Sequence, residues 1–265
     1  MIQPGGFEMK KNIYLTILTI VTVICIIAGS CYHIIGWGIS LAEKFNFPFW
    51  GDNAKISAGK LTESGDLPLD EFTSIQADVS VMDLNIVNGT DFSIRYSANQ
   101  KLIPEYKVEN NVLIINQTCK ISSIGGSKKC AVSITVPQEL DTIDIAAAVG
   151  DIDLNGLTSS NLILKADVGD IDISDCDFGQ VELDAAVGDI DFSNSSFLTM
   201  NAVNDVGDVK VDTDDLSDYQ IELNTSIGEV SVNGRGSHRS FEQDGDTNRK
   251  LVIDNSTGDI ELTYR

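Results

Sequence analysis

Six acidic residues each follow a glycine at near-regular intervals, and carboxylates held at fixed spacing are the groups that glycoside hydrolysis and divalent-cation binding use. The steps are Gly150-Asp151, Gly169-Asp170, Gly188-Asp189, Gly207-Asp208, Gly228-Glu229 and Gly258-Asp259, with glycine intervals of 19, 19, 19, 21 and 30 residues. Glycosidic cleavage needs two carboxyl groups in unlike environments, one protonated and one ionised. A series of equivalent aspartates supplies many groups in like environments, so no catalytic residue is assigned. Cation binding has a clearer motive, because carboxylates about 5 Å apart repel by roughly 0.8 kcal/mol even in water. Asp151, Asp170, Asp189 and Asp208 are the candidates for it, with Asp153, Asp172 and Asp191 as a second series interrupted by Lys210. Against it, Ca²⁺ wants about six to eight oxygens around one point, and the glycine-rich nonapeptide of calcium-binding β-rolls is absent.

What must position these carboxylates is a repeated strand unit. Apolar and polar residues alternate, as in a strand with one buried face. In the second copy the apolar set is Leu162, Leu164, Ala166 and Val168, then Ile171 and Ile173. Val168 and Ile171 are three apart, so the alternation slips at Gly169-Asp170, as it does at a corner. Glycine tolerates the positive φ that a corner asks for, and aspartate accepts local backbone N–H bonds there. Each repeat is then a long strand, a Gly-Asp corner, a short strand and a polar return such as "SDCDFGQ", Ser174 to Gln180. Stacked in parallel, such units place equivalent residues about 4.8 Å apart.

The fold expected is all-β, a parallel β-solenoid with coils of about 19 residues. Ile152, Ile171, Ile190, Val209, Val230 and Ile260 form one inward column, and Ala147, Ala166, Ala185, Asn204, Thr225 and Asn255 another. The second turns polar toward the C-terminus, where a stack needs a polar cap. "SIQADVSVMDLNIV", Ser74 to Val87, fits as a first coil with Ser80-Val81 replacing the Gly-Asp step. Residues 91–136 have shorter strands and more turns and are expected to form a β-meander covering the N-terminal end, since an open edge invites pairing with other chains.

Upstream lies a different kind of segment. Ile13 to Ile35 is a run of 23 residues without Asp, Glu, Lys or Arg, and about 20 suffice to span a bilayer. Lys10 and Lys11 precede it, so the positive-inside tendency puts the N-terminus in the cytoplasm and the large acidic part outside. A cleaved signal peptide and lipidation at Cys31 are the alternatives. The expected organisation is a cytoplasmic stub at 1–12, a transmembrane anchor helix at 13–41 and a juxtamembrane linker at 42–70. A first coil plus meander cap at 71–140 and the repeats at 141–265 follow, with an insertion loop at 233–250.

The net charge is −22, and the span Asp141 to Gly234 alone holds 21 acidic and two basic residues. Such a surface repels phosphate backbones, which excludes nucleic acid as a partner class. Within 233–250 the sign reverses: Arg235, Arg239, Arg249 and Lys250 are four of the seven basic residues after Gln138. Together with His238 these arginines are the candidate partner-contact residues, because long loops on a rigid scaffold often carry recognition. Cys119 and Cys130 flank "KISSIGGSKK", whose Gly125-Gly126 suggests a hairpin that would set the two thiols opposite each other, as a disulfide outside the membrane or as two free thiols in a reducing habitat. No phosphate-cradling loop and no zinc-type Cys/His spacing occurs, so no cofactor is expected.

"EFTSIQADVSVMDLNIV", "YKVENNVLIIN" and the serial "VGDIDL", "VGDIDI", "VGDIDF", "VGDVKV", "IGEVSV" and "TGDIEL" steps resemble the toastrack-type adhesin-like domain family of bacterial cell-envelope proteins, over roughly Glu71 to Arg265. The resemblance implies a stacked β-strand ectodomain at the cell surface, tied to adhesion or envelope-stress sensing, with no catalytic residues to carry over. The function expected is thus a membrane-anchored, extracytoplasmic, non-enzymatic interaction protein. Its partners would be the membrane through the N-terminal helix and an envelope protein, cationic peptide or glycan. An accessory role in envelope-stress or cationic-peptide sensing and a glycan-active β-helix enzyme are the alternatives.

Overall fold

The structure is a computed structural model, and it describes residues 61–118 and 130–265. The apolar run Ile13–Ile35, the juxtamembrane linker up to Lys60 and Cys119 lie outside the described residues. Among the described residues there is no helix. The N-terminal strands are β1 (Leu61–Glu63), β2 (Leu67–Pro68), β3 (Ser74–Val79), β4 (Asp83–Asn88), β5 (Ser93–Asn99), β6 (Glu105–Glu109), β7 (Val112–Gln117) and β8 (Cys130–Val136). The regular repeats supply β9 (Leu140–Val149), β10 (Ile152–Asn155), β11 (Thr158–Val168), β12 (Ile171–Ser174), β13 (Asp177–Val187), β14 (Ile190–Ser193), β15 (Ser196–Val206) and β16 (Val209–Thr213). The remainder is β17 (Tyr219–Ile227), β18 (Val230–Val232), β19 (Arg235–His238), β20 (Ser240–Gln243), β21 (Asp246–Thr257) and β22 (Ile260–Tyr264).

These strands form two mixed sheets. One runs β1-β5-β8-β4-β10-β12-β14-β16-β22-β18-β19, with β2 also on β5, and the other runs β20-β17-β21-β15-β13-β11-β9-β3-β7-β6. Each regular repeat gives its long strand to the second sheet and its short strand to the first. Successive repeats pair in parallel at an offset of 19, as in Leu164↔Leu183 and Ile171↔Ile190. Inward residues of both sheets build one continuous core, in which Ile152, Ile171, Ile190, Val209, Val230 and Ile260 are all buried. Burial of apolar surface, at about 25 cal/mol per Å², favours keeping that column inside.

Four expectations change on contact with the structure. The last two repeats are stacked out of chain order: β21–β22 lies on β15–β16, and β17–β18 lies outside it. The sheet order works because the residues are interchangeable, Met200 meeting Leu251 and Leu251 in turn meeting Ile221.

The second change is in the first repeat, which has its corner acid after all. Leu84 pairs with Ile152, so Asp83 stands in the place of Asp151 and Met82 in the place of Gly150. A Cβ on Gly150 would lie 1.9 Å from the Met82 carbonyl oxygen, and one on Gly169 2.0 Å from that of Gly150. Each glycine thus makes room for the carbonyl of the repeat beneath it. Met82 begins the series and does not have the positive φ that these glycines share.

The third change concerns residues 91–136. β7 and β8 extend the stack, β7 parallel to β3 and β8 parallel to β4, and only β5 and β6 return antiparallel. β7 and β8 belong to different sheets, and Gly125-Gly126 and Cys119, between them in sequence, lie outside the described residues. Cys130 is a buried free thiol, and burial pushes it up to about 11.

The last is the polar end of the alanine column, expected at a cap but buried, with Asn204, Asn255 and Thr225 0–5% exposed. Asn204 donates to the Gly188 carbonyl at 3.2 Å, Asn255 to that of Gly207 at 2.9 Å and Thr225 to that of Gly258 at 2.9 Å.

Candidate functional site

The corner carboxylates form a ladder. Asp170 N–H donates to Asp151 Oδ1 at 3.0 Å, Asp189 N–H to Asp170 Oδ1 at 2.8 Å, and Asp208 N–H to Asp189 Oδ1 at 2.8 Å. Asp259 N–H continues to Asp208 Oδ1 at 2.8 Å and Glu229 N–H to Asp259 Oδ1 at 2.9 Å. Asp83 is the first rung, accepting from Asp151 N–H at 3.4 Å. The bonds are therefore between repeats and not local to each corner, and every repeat junction on this edge is tied by a charge-assisted bond. The rungs are exposed, and each bonded aspartate uses Oδ1 in the same way.

Asp153, Asp172 and Asp191 line up beside the ladder on the outer face of the first sheet, in register from β10 to β14. Partial burial, then the neighbouring Asp151 and Asp83, push Asp153 upward. Burial followed by Asp153, Asp191, Asp170 and Asp151 does the same to Asp172. Lys210 relieves the end of the series, with Nζ 3.7 Å from Asp191 Oδ2. No group of three or more metal-type side chains converges on one point among the described residues. The repeats bring the carboxylates into rows, a geometry that spreads oxygens instead of enclosing an ion.

On the other side of the ladder lies a feature that the alternation had hidden. Val168 points outward, as do Val149, Val187, Val206 and Ile227, each 38–47% exposed. The strand's inward phase ends at Ala166, and Asp167 and Val168 both face solvent before the glycine turns the chain. With Thr257 in the gap, these residues stack in register as one apolar ridge beside the acidic ladder. The signal available in sequence was the slip itself: where the phase breaks by one residue, the last apolar residue before it has no claim to the core.

The basic segment 233–250 is strand instead of loop. β19 is the edge strand on β18 in the first sheet, and β20 is the edge strand on β17 in the second. Arg235, Arg239 and Arg249 are exposed. Arg239 gives its carbonyl to Thr225 N–H at 2.8 Å, and the Arg249 guanidinium sits 5.7 Å from the Tyr219 ring centroid. His238 occupies the β19 position opposite Val230. Cys176, placed by sequence in a polar return, is buried there. It accepts Leu157 N–H on its sulfur at 3.3 Å and donates its own N–H to Ser195 Oγ at 2.9 Å.

A two-sheet stack of glycine-cornered repeats, tied along one edge by carboxylates, defines a class of β-repeat domain. The family model described as Toastrack DUF4097 matches residues 71–265, and the chain belongs to that family. No curated protein matches it. Among solved structures it is similar to a candidate cell adhesion protein from Clostridium sporogenes, at 14% identity and a TM-score of 0.46 over 78% of this chain and 100% of that one. It is also similar to a candidate adhesin from Bacteroides fragilis, at 18% identity and a TM-score of 0.42 over 77% and 97% of the two chains. A third likeness is to a candidate adhesin from Parabacteroides merdae, at 12% identity, TM-score 0.37, over 78% and 97%.

Proposed function

We propose that the protein is a membrane-anchored, extracytoplasmic interaction scaffold without enzymatic activity. Its repeats form a β-solenoid carried outside the cell by the apolar segment Ile13–Ile35. The observation that carries this reading is the unbroken ladder from Asp83 to Glu229, in which the carboxylates most suited to chemistry are instead joints between repeats. An acid–base pair needs two carboxyls held in contrasting surroundings, and these rungs repeat one surrounding. That weighs against a glycan-active enzyme. A second reading, an accessory part in envelope-stress or cationic-peptide sensing, is favoured by the same row of exposed acids and by the net charge of −22, which draw cations from a distance.

The test is protease added to intact cells after removal of any wall. Digestion of the ectodomain that spares only the first few dozen residues is expected. Full protection of the C-terminal part in sealed cells would overturn the reading.

A further inference from the structure

We infer that the apolar ridge beside the corner ladder is a docking surface for a cationic amphipathic α-helix of another polypeptide. The inference rests on the interaction-scaffold reading above and names the partner that this edge fits. The ridge is built from Val149, Val168, Val187, Val206, Thr257 and Ile227 in one register, and its aliphatic members are exposed by 38–47%. Isolated exposed aliphatics need no explanation, but a contiguous row on a soluble face does.

Length and spacing select the partner's form. Six positions at about 4.8 Å per strand step make a ridge about 24 Å long, the length of an α-helix of about 16 residues. Along a helix the apolar positions i, i+3 and i+4 recur every 4.5–6 Å, roughly one per valine. A strand laid along the ridge would present a side chain on one face only every 6.6–6.8 Å or so and would fall out of step. Charge selects its composition. The ladder Asp151, Asp170, Asp189, Asp208, Asp259 and Glu229 runs along one flank, and Asp167 and Asp205 are exposed on the other. Lys or Arg bordering the helix's apolar stripe would meet these carboxylates, and the Oδ2 atoms of the ladder aspartates are not used by the ladder bonds. A second copy of this chain laid ridge to ridge would oppose acid to acid, and an anionic membrane would be repelled likewise.

The test uses the full chain and a fluorescent 16-residue peptide with Leu on one helical face and Lys beside it. The control is an isomer of the same composition with its leucines spread around the helix. Anisotropy titration is expected to show the amphipathic peptide binding at least tenfold more tightly than the isomer. The triple substitution Val168→Thr, Val187→Thr and Val206→Thr keeps β-branched residues in the strands, as Thr257 already does, and is expected to lower affinity about tenfold. Asp170→Asn with Asp189→Asn keeps the Oδ1 acceptors and removes charge, and is expected to weaken binding and flatten its salt dependence. Equal binding of the two peptides, or no loss in the threonine triple variant with its circular dichroism spectrum unchanged, would overturn the inference. Cross-linking of two copies through Val187→Cys would overturn it in favour of self-association. Failure here with successful protease digestion on cells removes the helix partner and leaves the scaffold reading standing, whereas protection on cells removes that reading whatever the peptide does.

Discussion

Gly188→Ala measures how much the corner geometry contributes to the stack. The added Cβ would lie 2.0 Å from the Gly169 carbonyl oxygen and 2.6 Å from its carbon, at a φ of +150°. Neither atom is a flexible side-chain tip, so the corner must move away from the repeat beneath it. Three bonds would then be lost: Gly169 N–H to the Val187 carbonyl at 3.0 Å, Ile171 N–H to the Asp189 carbonyl at 2.9 Å, and Asp189 N–H to Asp170 Oδ1 at 2.8 Å. At about 1 kcal/mol each, with about 1 kcal/mol or more of backbone strain, the substitution should cost about 4 kcal/mol. For a domain of this size that is a fall of about 10 °C in Tm. Two controls separate the causes. Gly234 has φ +70° but nothing within 4 Å of its Cβ position, so Gly234→Ala carries strain alone, about 1 kcal/mol. Gly65 has neither a neighbour within 4 Å nor a positive φ, and Gly65→Ala should leave Tm within about 2 °C. Thermal unfolding of the full chain by circular dichroism reads all three. A Gly188→Ala melt indistinguishable from that of Gly65→Ala would refute the close-approach reasoning.

Ile171→Asp buries an unpaired carboxylate at a position with no exposed surface and should abolish cooperative unfolding, while Asp172→Asn, facing out, should leave Tm nearly unchanged or raise it. Equal damage in the two melts would mean that the two faces are misassigned. Because the folded-state values of Asp153 and Asp172 are raised, the folded chain binds protons more readily than the unfolded one, and stability should rise as pH falls from 7 toward 5. Asp66 and Glu109 are lowered by Arg95 and Lys107, and their opposite contribution is lost only below the ordinary carboxylate range. A Tm at pH 5 no higher than at pH 7, or a pH difference that Asp172→Asn fails to reduce, would count against this. Gly258→Ala should strip hydrogen-exchange protection from Ile221–Ile227 as well as from its own repeat, because β17 rests on β21. Retained protection in β17 would mean that the repeats stack in chain order.

The parts of this architecture visible in sequence are those where one residue type does one job at a fixed interval. The Gly-Asp steps and the buried column through Ile171 are of that kind. Val168 was misleading because apolar character reports what a side chain prefers and not which way the chain aims it, and the phase break at Asp167 decides the direction. The place of the last repeat was hidden for the converse reason. Leu251 and Ile221, or Asn255 and Thr225, satisfy the same neighbours, so alternation alone cannot order two repeats of equal fitness. Asp83 was missed because its glycine is absent, and a glycine is not required there because Met82 does not have a positive φ. The basic residues of 233–250 were legible as a charge reversal, but the edge strands β19 and β20 among them were not, since each is only four residues long.

The most direct measurement of whether the corner aspartates are joints lies at Asp189. Its Oδ1 accepts Asp208 N–H at 2.8 Å, a role that asparagine can take over and alanine cannot. Both substitutions remove the charge, so their difference isolates the bond, worth about 1 kcal/mol or 2–4 °C in Tm. Asp189→Asn is predicted to melt with the wild-type chain and Asp189→Ala about 3 °C below it. Equal melting of the two variants would show that the carboxylate does not hold the repeats together, and would return the ladder to the search for chemistry.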